Sequence, residues 1–208
     1  MKRLLHIVAS PRGADSRTLY VAGAFLERLK KKYPGCRIDE LNLFDEKLQD
    51  LTVKQVSGKY VLLGGKELTE DLKKAWKTIE QQIERFLSAD TYLISTPMWN
   101  FSIPYPLKHY IDIIVQPKYL FRYVGNGVEG LVKNKKMVVI TSRGGDYGPN
   151  SPMKGYDFQE PYLRTVFGFV GITDMTFINA QPMDMGPELQ KENLEKAKAL
   201  AREVADSF

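Results

Sequence analysis

Arg3-Leu-Leu-His-Ile-Val-Ala9, running directly into Ser10-Pro-Arg-Gly-Ala-Asp-Ser-Arg-Thr18, decides the fold. Residues 4–9 are apolar apart from His6, so both alternating faces of a strand would be buried, as in a parallel sheet. The loop Ser10–Asp15 follows, and Ser16 is an N-cap for a helix reaching about Lys32. Leu19, Ala22, Leu26 and Leu29 line one face of that helix, and Pro34-Gly35 stops it. The same strand-then-helix alternation recurs down the chain. Strands are expected over Cys36–Leu43, Thr91–Thr96, Lys136–Ser142 and 172–179, and helices over 66–88, Tyr105–Val115, 158–169 and 187–206. The segment 44–65 is less readable and ends in a Gly64-Gly65 break; 116–134 is irregular, with Gly125-Asn-Gly127 as a turn signal. Alternating strands and helices imply a three-layer α/β fold, a parallel sheet covered on both faces. Five strands at this spacing fit the doubly wound order 2-1-3-4-5, in which ligands sit beyond the carboxyl ends of the strands.

Composition agrees with such a fold and excludes several others. The 208 residues are 43% hydrophobic and 26% charged, as in a folded domain rather than a disordered or collagen-like chain. No apolar run approaches the ~20 residues of a membrane-spanning helix. The opening Met1–Pro11 reads as a first strand rather than a leader, so the expected location is cytoplasmic. A single cysteine, Cys36, rules out an internal disulfide framework, and His6 and His109 form no metal-ligand pair. The net charge of +5 is spread along helix faces, with Lys30-Lys-Lys32 and Lys133–Lys136 the only dense basic spots; it reads as solvated surface, not a nucleic-acid footprint.

Three loops at the expected strand ends carry the chemistry. The first, Ser10–Thr18, offers hydroxyls, a glycine and a helix N-terminus, which together suit a phosphate. It contains neither Gly-x-x-x-x-Gly-Lys-Ser/Thr nor Gly-x-Gly-x-x-Gly, which excludes an ATP-hydrolysing P-loop and the dinucleotide fingerprint. The second, Thr96-Pro-Met-Trp-Asn-Phe-Ser-Ile-Pro-Tyr-Pro106, places Met98, Trp99 and Phe101 where a loop is usually polar, with Asn100 as a polar handle. Apolar contact with an amide at the edge is what a flat heteroaromatic ring needs. Eight of the 23 aromatic residues fall within 92–123, which points to a binding surface or an oligomer interface. The third, Ser142-Arg-Gly-Gly-Asp-Tyr-Gly148, lets backbone approach a ligand at Gly144-Gly145, with Arg143 placed to support developing negative charge. A phosphate anchor, a ring wall and an edge of N–H donors describe a site for flavin mononucleotide (FMN).

These residues resemble the FMN-dependent NADH:quinone oxidoreductases of the azoreductase family, over nearly the whole chain. The resemblance rests on Ser10-Pro-Arg with Ser16-Arg-Thr18, Pro97-Met-Trp-Asn-Phe101, Phe121-Arg-Tyr123 with Glu129-Gly-Leu-Val132, Ser142-Arg-Gly-Gly145 and Pro161–Thr173. It implies a single flavodoxin-like FMN-binding domain over 1–208 with one FMN per subunit. Ser10, Ser16, Arg17 and Thr18 would hold the phosphate. Met98, Trp99, Asn100 and Phe101 would hold the ring, and Ser142, Arg143, Gly144 and Gly145 would meet its pyrimidine end. It further implies electron transfer from NADH or NADPH to a quinone or azo compound, with donor and acceptor using one face of the flavin in turn. No catalytic side chain or metal is implied, and no nucleic acid or membrane partner. A homodimer would carry its sites at the interface, with Tyr123 and Phe167 lining the substrate pocket. Trp99 stands where a tyrosine is common, and Asp15 is unfavourable beside a phosphate unless it caps the helix or pairs with Arg12 or Arg17. An FAD-dependent quinone reductase, an electron-carrier flavodoxin and a non-enzymatic module binding a phosphorylated partner are the alternatives.

Overall fold

The structure is a computed structural model describing residues 1–208. Its main sheet holds β1 (Arg3–Val8), β2 (Arg37–Asn42), β3 (Thr91–Pro97), β6 (Lys136–Ser142) and β7 (Asp174–Ala180), all parallel, in the order β2-β1-β3-β6-β7. Counted within the sheet, this is the expected order 2-1-3-4-5. The helices are α1 (Arg17–Lys32), α2 (Val53–Leu63), α3 (Glu70–Leu87), α4 (Tyr105–Ile114), α5 (Gln159–Phe169) and α6 (Pro187–Ser207). Strands β4 (Phe121–Val124) and β5 (Gly127–Gly130) form a separate antiparallel hairpin.

Alternation along β1 feeds two cores. Leu5, Ile7 and Ala9 join a cluster of 27 buried residues on one side of the sheet, with side chains from α3, α4 and α5. Leu4 joins a cluster of 14 on the other side, beneath α1 and α6. Helix α6 buries little beyond Ala197, Ala201 and Ala205, a stripe at four-residue spacing that admits α1 closely. At the edge, Asp39 of β2 accepts from Arg3 of β1 (2.5 Å) and from Arg85 of α3 (2.8 Å). These bonds hold the Asp39 carboxyl below its ordinary range, with Arg85 the main cause.

Sequence and structure part in the segment 44–65. Helix α2 forms there behind a capping box in which Thr52 and Gln55 satisfy each other's backbone N–H groups. Its Gly58 lies against Trp76: a Cβ would stand 2.1 Å from Nε1, which donates instead to the Gln55 carbonyl (3.0 Å). The Gly64-Gly65 break is the end of this helix. Helix α3 starts at Glu70 rather than 66, because Thr69 caps it. Gly125-Asn-Gly127 does turn the chain, between β4 and β5, whose four-residue strands are too short to register as periodic.

Candidate functional site

The loops after β1, β3 and β6 converge on one cleft of about 220 Å³ at the carboxyl ends of the strands. At its base, Ser16 caps α1: its Oγ accepts from Leu19 N (3.2 Å) and shares a hydrogen bond with Ser10 Oγ (2.7 Å). Thr18 Oγ1 pairs with Ser142 Oγ (2.9 Å), tying the first loop to the third. All three hydroxyl residues of the first loop are buried. The N–H groups of Arg17 and Thr18 open the helix and find no acceptor within the chain. Unsatisfied N–H groups at the positive end of a 16-residue helix, flanked by fixed hydroxyls and by Arg12 and Arg17, form an anion site.

The second loop turns on itself. Trp99 and Ser102 exchange backbone hydrogen bonds at 2.9 Å each way. The two residues between them, Asn100 and Phe101, have φ of 46° and 70°. This is the left-handed geometry of a tight two-residue turn, which glycine usually supplies. Phe101 pays for it in backbone strain of about 1–2 kcal/mol. The strained turn lifts Trp99 and Phe101 outward, 37% and 42% exposed, with Phe44 edge-on to Trp99 and Tyr156 beside Phe101. The amide of Asn100 makes no hydrogen bond within the chain. In the third loop the N–H groups of Gly144 and Gly145 are likewise without acceptors.

A fourth loop, after β7, completes the cleft through Met183 and Asp184. Met183 N and Asp184 N both donate to the Gly144 carbonyl (3.0 Å), and Asp184 Oδ1 accepts from Arg17 NH1 (2.7 Å). A Cβ on Gly144 would meet Asp184 Oδ2 at 2.6 Å, so a side chain there would displace the Asp184 carboxylate from its place over the loop. Sequence reasoning missed Met183 and Asp184; the Pro182–Gly186 cluster after a strand was the available signal.

The expectation for Phe167 is corrected, and those for Arg143 and Asp15 are narrowed. Arg143 is 1% exposed, and its guanidinium runs away from the Gly144-Gly145 backbone to Asp157 (2.9 Å), Gln159 (3.1 Å) and Glu160 (3.6 Å). Burial pulls its pKa down, opposed by the two carboxylates, and its charge is committed to them rather than to a ligand. Its own N–H donates to Ala180 O, while Arg143 still contributes to the cleft lining and its NH2 makes no hydrogen bond within the chain. Phe167 is fully buried and stacks on Phe86 (6.3 Å between ring centres); it is core, on the same face of α5 as Leu163. Asp15 neither caps α1 nor pairs with Arg17, whose partner is Asp184. Tyr123, on β4, is 63% exposed and lies outside the cleft. His109 lines a neighbouring shallow depression with Trp99, Asn100 and Tyr105. His6 is buried, its Nε2 sharing a hydrogen bond with Ser95 Oγ (2.8 Å). Cys36 packs against the α1–α6 core.

The doubly wound sheet with an anion cradle and an aromatic wall at its carboxyl end defines a flavodoxin-like α/β protein. Residues 2–204 match the family described as flavodoxin-like fold. The chain is 37% identical to the FMN-dependent NADH:quinone oxidoreductase of Nitratidesulfovibrio vulgaris, over the full length of both. Among solved structures, an azoreductase from Bacillus anthracis str. Sterne superposes with a TM-score of 0.90 at 28% identity, covering all of both chains. An FMN-dependent NADH-azoreductase from Bacillus anthracis str. Ames Ancestor, solved in complex with FMN, gives 0.83 at 29% identity, covering 98% of this chain and 99% of that one. The chain belongs to this flavodoxin-like family, in the branch whose members are named FMN-dependent NADH:quinone oxidoreductases. No helix is long and apolar enough to cross a membrane.

Proposed function

We propose that the chain binds one FMN and moves two electrons from NADH to a quinone or an azo compound. The observation that carries this reading is the meeting, in one cleft, of the acceptor-free N–H groups of Arg17 and Thr18 with Met98 and Trp99, which lead into the strained turn; Asn100, Phe101 and Gly145 lie outside the cleft lining, at its rim in the same loops. The first suits a terminal phosphate monoester and the second a flat ring. Ser10, Ser16, Arg17 and Thr18 would hold the phosphate, and Met98, Trp99, Asn100 and Phe101 the ring. When bound, FMN supplies the hydride and electron chemistry, so the chain need supply no nucleophile.

The chain's own residues then have three tasks. Helix α1 and its hydroxyls fix the phosphate end, which sets the ring's position against the second loop. The N–H groups of Gly144 and Gly145 stand ready to donate to the ring's polar edge, stabilising negative charge that gathers there. Trp99 and Phe101 offer apolar area to a planar substrate and exclude water from it. Exposed Tyr105, Tyr156 and Phe158 extend this apolar surface, which supports a homodimer with its sites at the interface. Such a chain works as a single domain in the cytoplasm.

The test is a visible absorption spectrum of purified protein, mass analysis of whatever heat releases, and NADH oxidation with a quinone and with an azo dye. FMN at one per chain, with turnover and parallel double-reciprocal lines, is the expected result. Release of FAD would move the chain to another quinone-reductase family, and FMN without turnover would make it an electron carrier. A colourless protein that takes up no added FMN would refute the reading.

A further inference from the structure

Three consecutive residues at the start of α5 grip both ends of the aromatic turn and the root of the glycine loop. Phe158 N donates to the Phe101 carbonyl (3.0 Å), at the far end of the turn. Gln159 Nε2 donates to the Pro97 carbonyl (2.8 Å), at the near end, where β3 stops. Gln159 Oε1 accepts from Arg143 Nε (3.1 Å), and Asp157 Oδ2 accepts from Arg143 NH1 (2.9 Å), one residue before Gly144. Asp157 Oδ1 in turn accepts from Gln159 N and Glu160 N (2.9 and 3.1 Å), which locks the helix start. Gln159 is completely buried and does not line the cleft.

We propose that Gln159 is a positioning residue that holds the Pro97–Phe101 turn at a fixed distance from the Gly144-Gly145 loop, and so sets the width of the ring site; this rests on the FMN reading above. A left-handed phenylalanine persists only where its surroundings over-determine it. The turn's own pair of hydrogen bonds closes it but does not orient it. Met98 N, donating to Ser142 O (2.9 Å), ties the near end of the turn to β6, and the Pro97 and Phe101 carbonyls are held from the start of α5. The amide of Gln159 is the side-chain group joined to both walls: it donates to one and accepts from the other. The Arg143 side chain, turned from the ligand, acts as the rigid arm that fixes the acceptor end of that amide.

Two variants separate positioning from simple packing. Gln159→Glu keeps an acceptor for Arg143, loses the donor to Pro97 and turns a buried carboxylate toward that carbonyl, so it acts on the turn rather than on Arg143. Gln159→Met loses both and also leaves Arg143 short of a partner. Amide hydrogen exchange is measured on the flavin-free chain, and FMN affinity and the visible circular dichroism of bound flavin on the loaded chain. With Gln159→Glu, protection at Trp99 and Ser102 is expected to fall roughly tenfold, the effect of one buried hydrogen bond lost, while Ile94 and Val139 keep theirs. FMN affinity is expected to fall by a similar factor, with a changed dichroism spectrum. Gln159→Met shows the same losses with a lowered thermal midpoint. Wild-type protection at Trp99 and Ser102 together with wild-type flavin properties in Gln159→Glu would overturn the proposal. A parent chain that takes up no FMN would overturn the functional reading instead, and the exchange comparison would still decide whether Gln159 holds the turn.

Discussion

Asp184 places a carboxylate at the rim of an anion site, and its removal is expected to strengthen binding. Its Oδ1 lies 2.7 Å from Arg17 NH1, with the two side chains 66% and 29% exposed. An ion pair this wet contributes at most about 1 kcal/mol to folding, so Asp184→Asn should leave the thermal midpoint nearly unchanged. The effect on a phosphate is larger for two reasons: Arg17 is released from its partner, and a like charge leaves the cleft lining. Two unit charges a few ångströms apart in a solvent-exposed site interact by about 1 kcal/mol, which corresponds to roughly a fivefold gain in affinity. The assay is titration of FMN into flavin-free protein, followed by quenching of flavin fluorescence at low and at moderate salt. The gain should shrink as salt is added, because screening acts on exposed charges first. Inorganic phosphate should compete better against FMN in the variant than in the parent only if the gain resides at the phosphate end. Unchanged or weaker FMN binding in Asp184→Asn would refute the reasoning and make Asp184 an organiser of Arg17 rather than a competitor for it.

Ser16→Ala removes the cap of α1 and the partner of Ser10, so a stability loss of about 1 kcal/mol is expected in urea melts. Its FMN affinity should fall by more than that loss explains. Gly130→Ala puts a Cβ 2.3 Å from Gly171 N and 2.4 Å from the Val170 carbonyl carbon, backbone that cannot step aside cheaply. It should cost about 1–3 kcal/mol in thermal stability while FMN affinity per folded chain stays unchanged. Asp39 titrates below its unfolded value because Arg85, first, and Arg3 stabilise its charge. Its contribution is therefore present above about pH 4 and is lost as pH falls through the depressed folded value. Asp39→Asn should lower the urea midpoint at neutral pH and flatten its decline below about pH 4.

The sheet was legible because its three central strands are buried on both faces: Leu4–Ala9 and Met137–Ile140 admit no amphipathic reading, and the helices between them show clean stripes. Helix α2 was not, because its face is diluted. Val53 and Tyr60 point into solvent, Gly58 is a contact position for Trp76, and only Gln55, Gly58 and Leu62 are buried. Its capping box, Thr52 with Gln55, was the readable trace. The three loops were legible as chemistry, since hydroxyls before a helix and aromatics in a proline-stiffened loop are unusual local patterns. The pocket role for Phe167 came with the family resemblance alone, whereas its four-residue spacing from Leu163 marks the inner face of α5.

Arg143 shows why the remainder lay beyond a one-dimensional reading. An arginine beside Gly-Gly in a ligand loop has two uses, and the local sequence is the same for both. Which one holds depends on Asp157, Gln159 and Glu160, fourteen to seventeen residues away on a helix that the sheet topology brings underneath. A guanidinium 1% exposed with two carboxylates in reach is held by them, and pulling it out to meet a ligand would leave Asp157 without its cation, Glu160 keeping Arg164. That would cost about 3–5 kcal/mol, more than a hydrogen bond to a flavin carbonyl returns at about 1.5–3 kcal/mol. The energetically consistent role for Arg143 is thus to brace the loop from behind, leaving the glycine N–H groups in front to meet the ring.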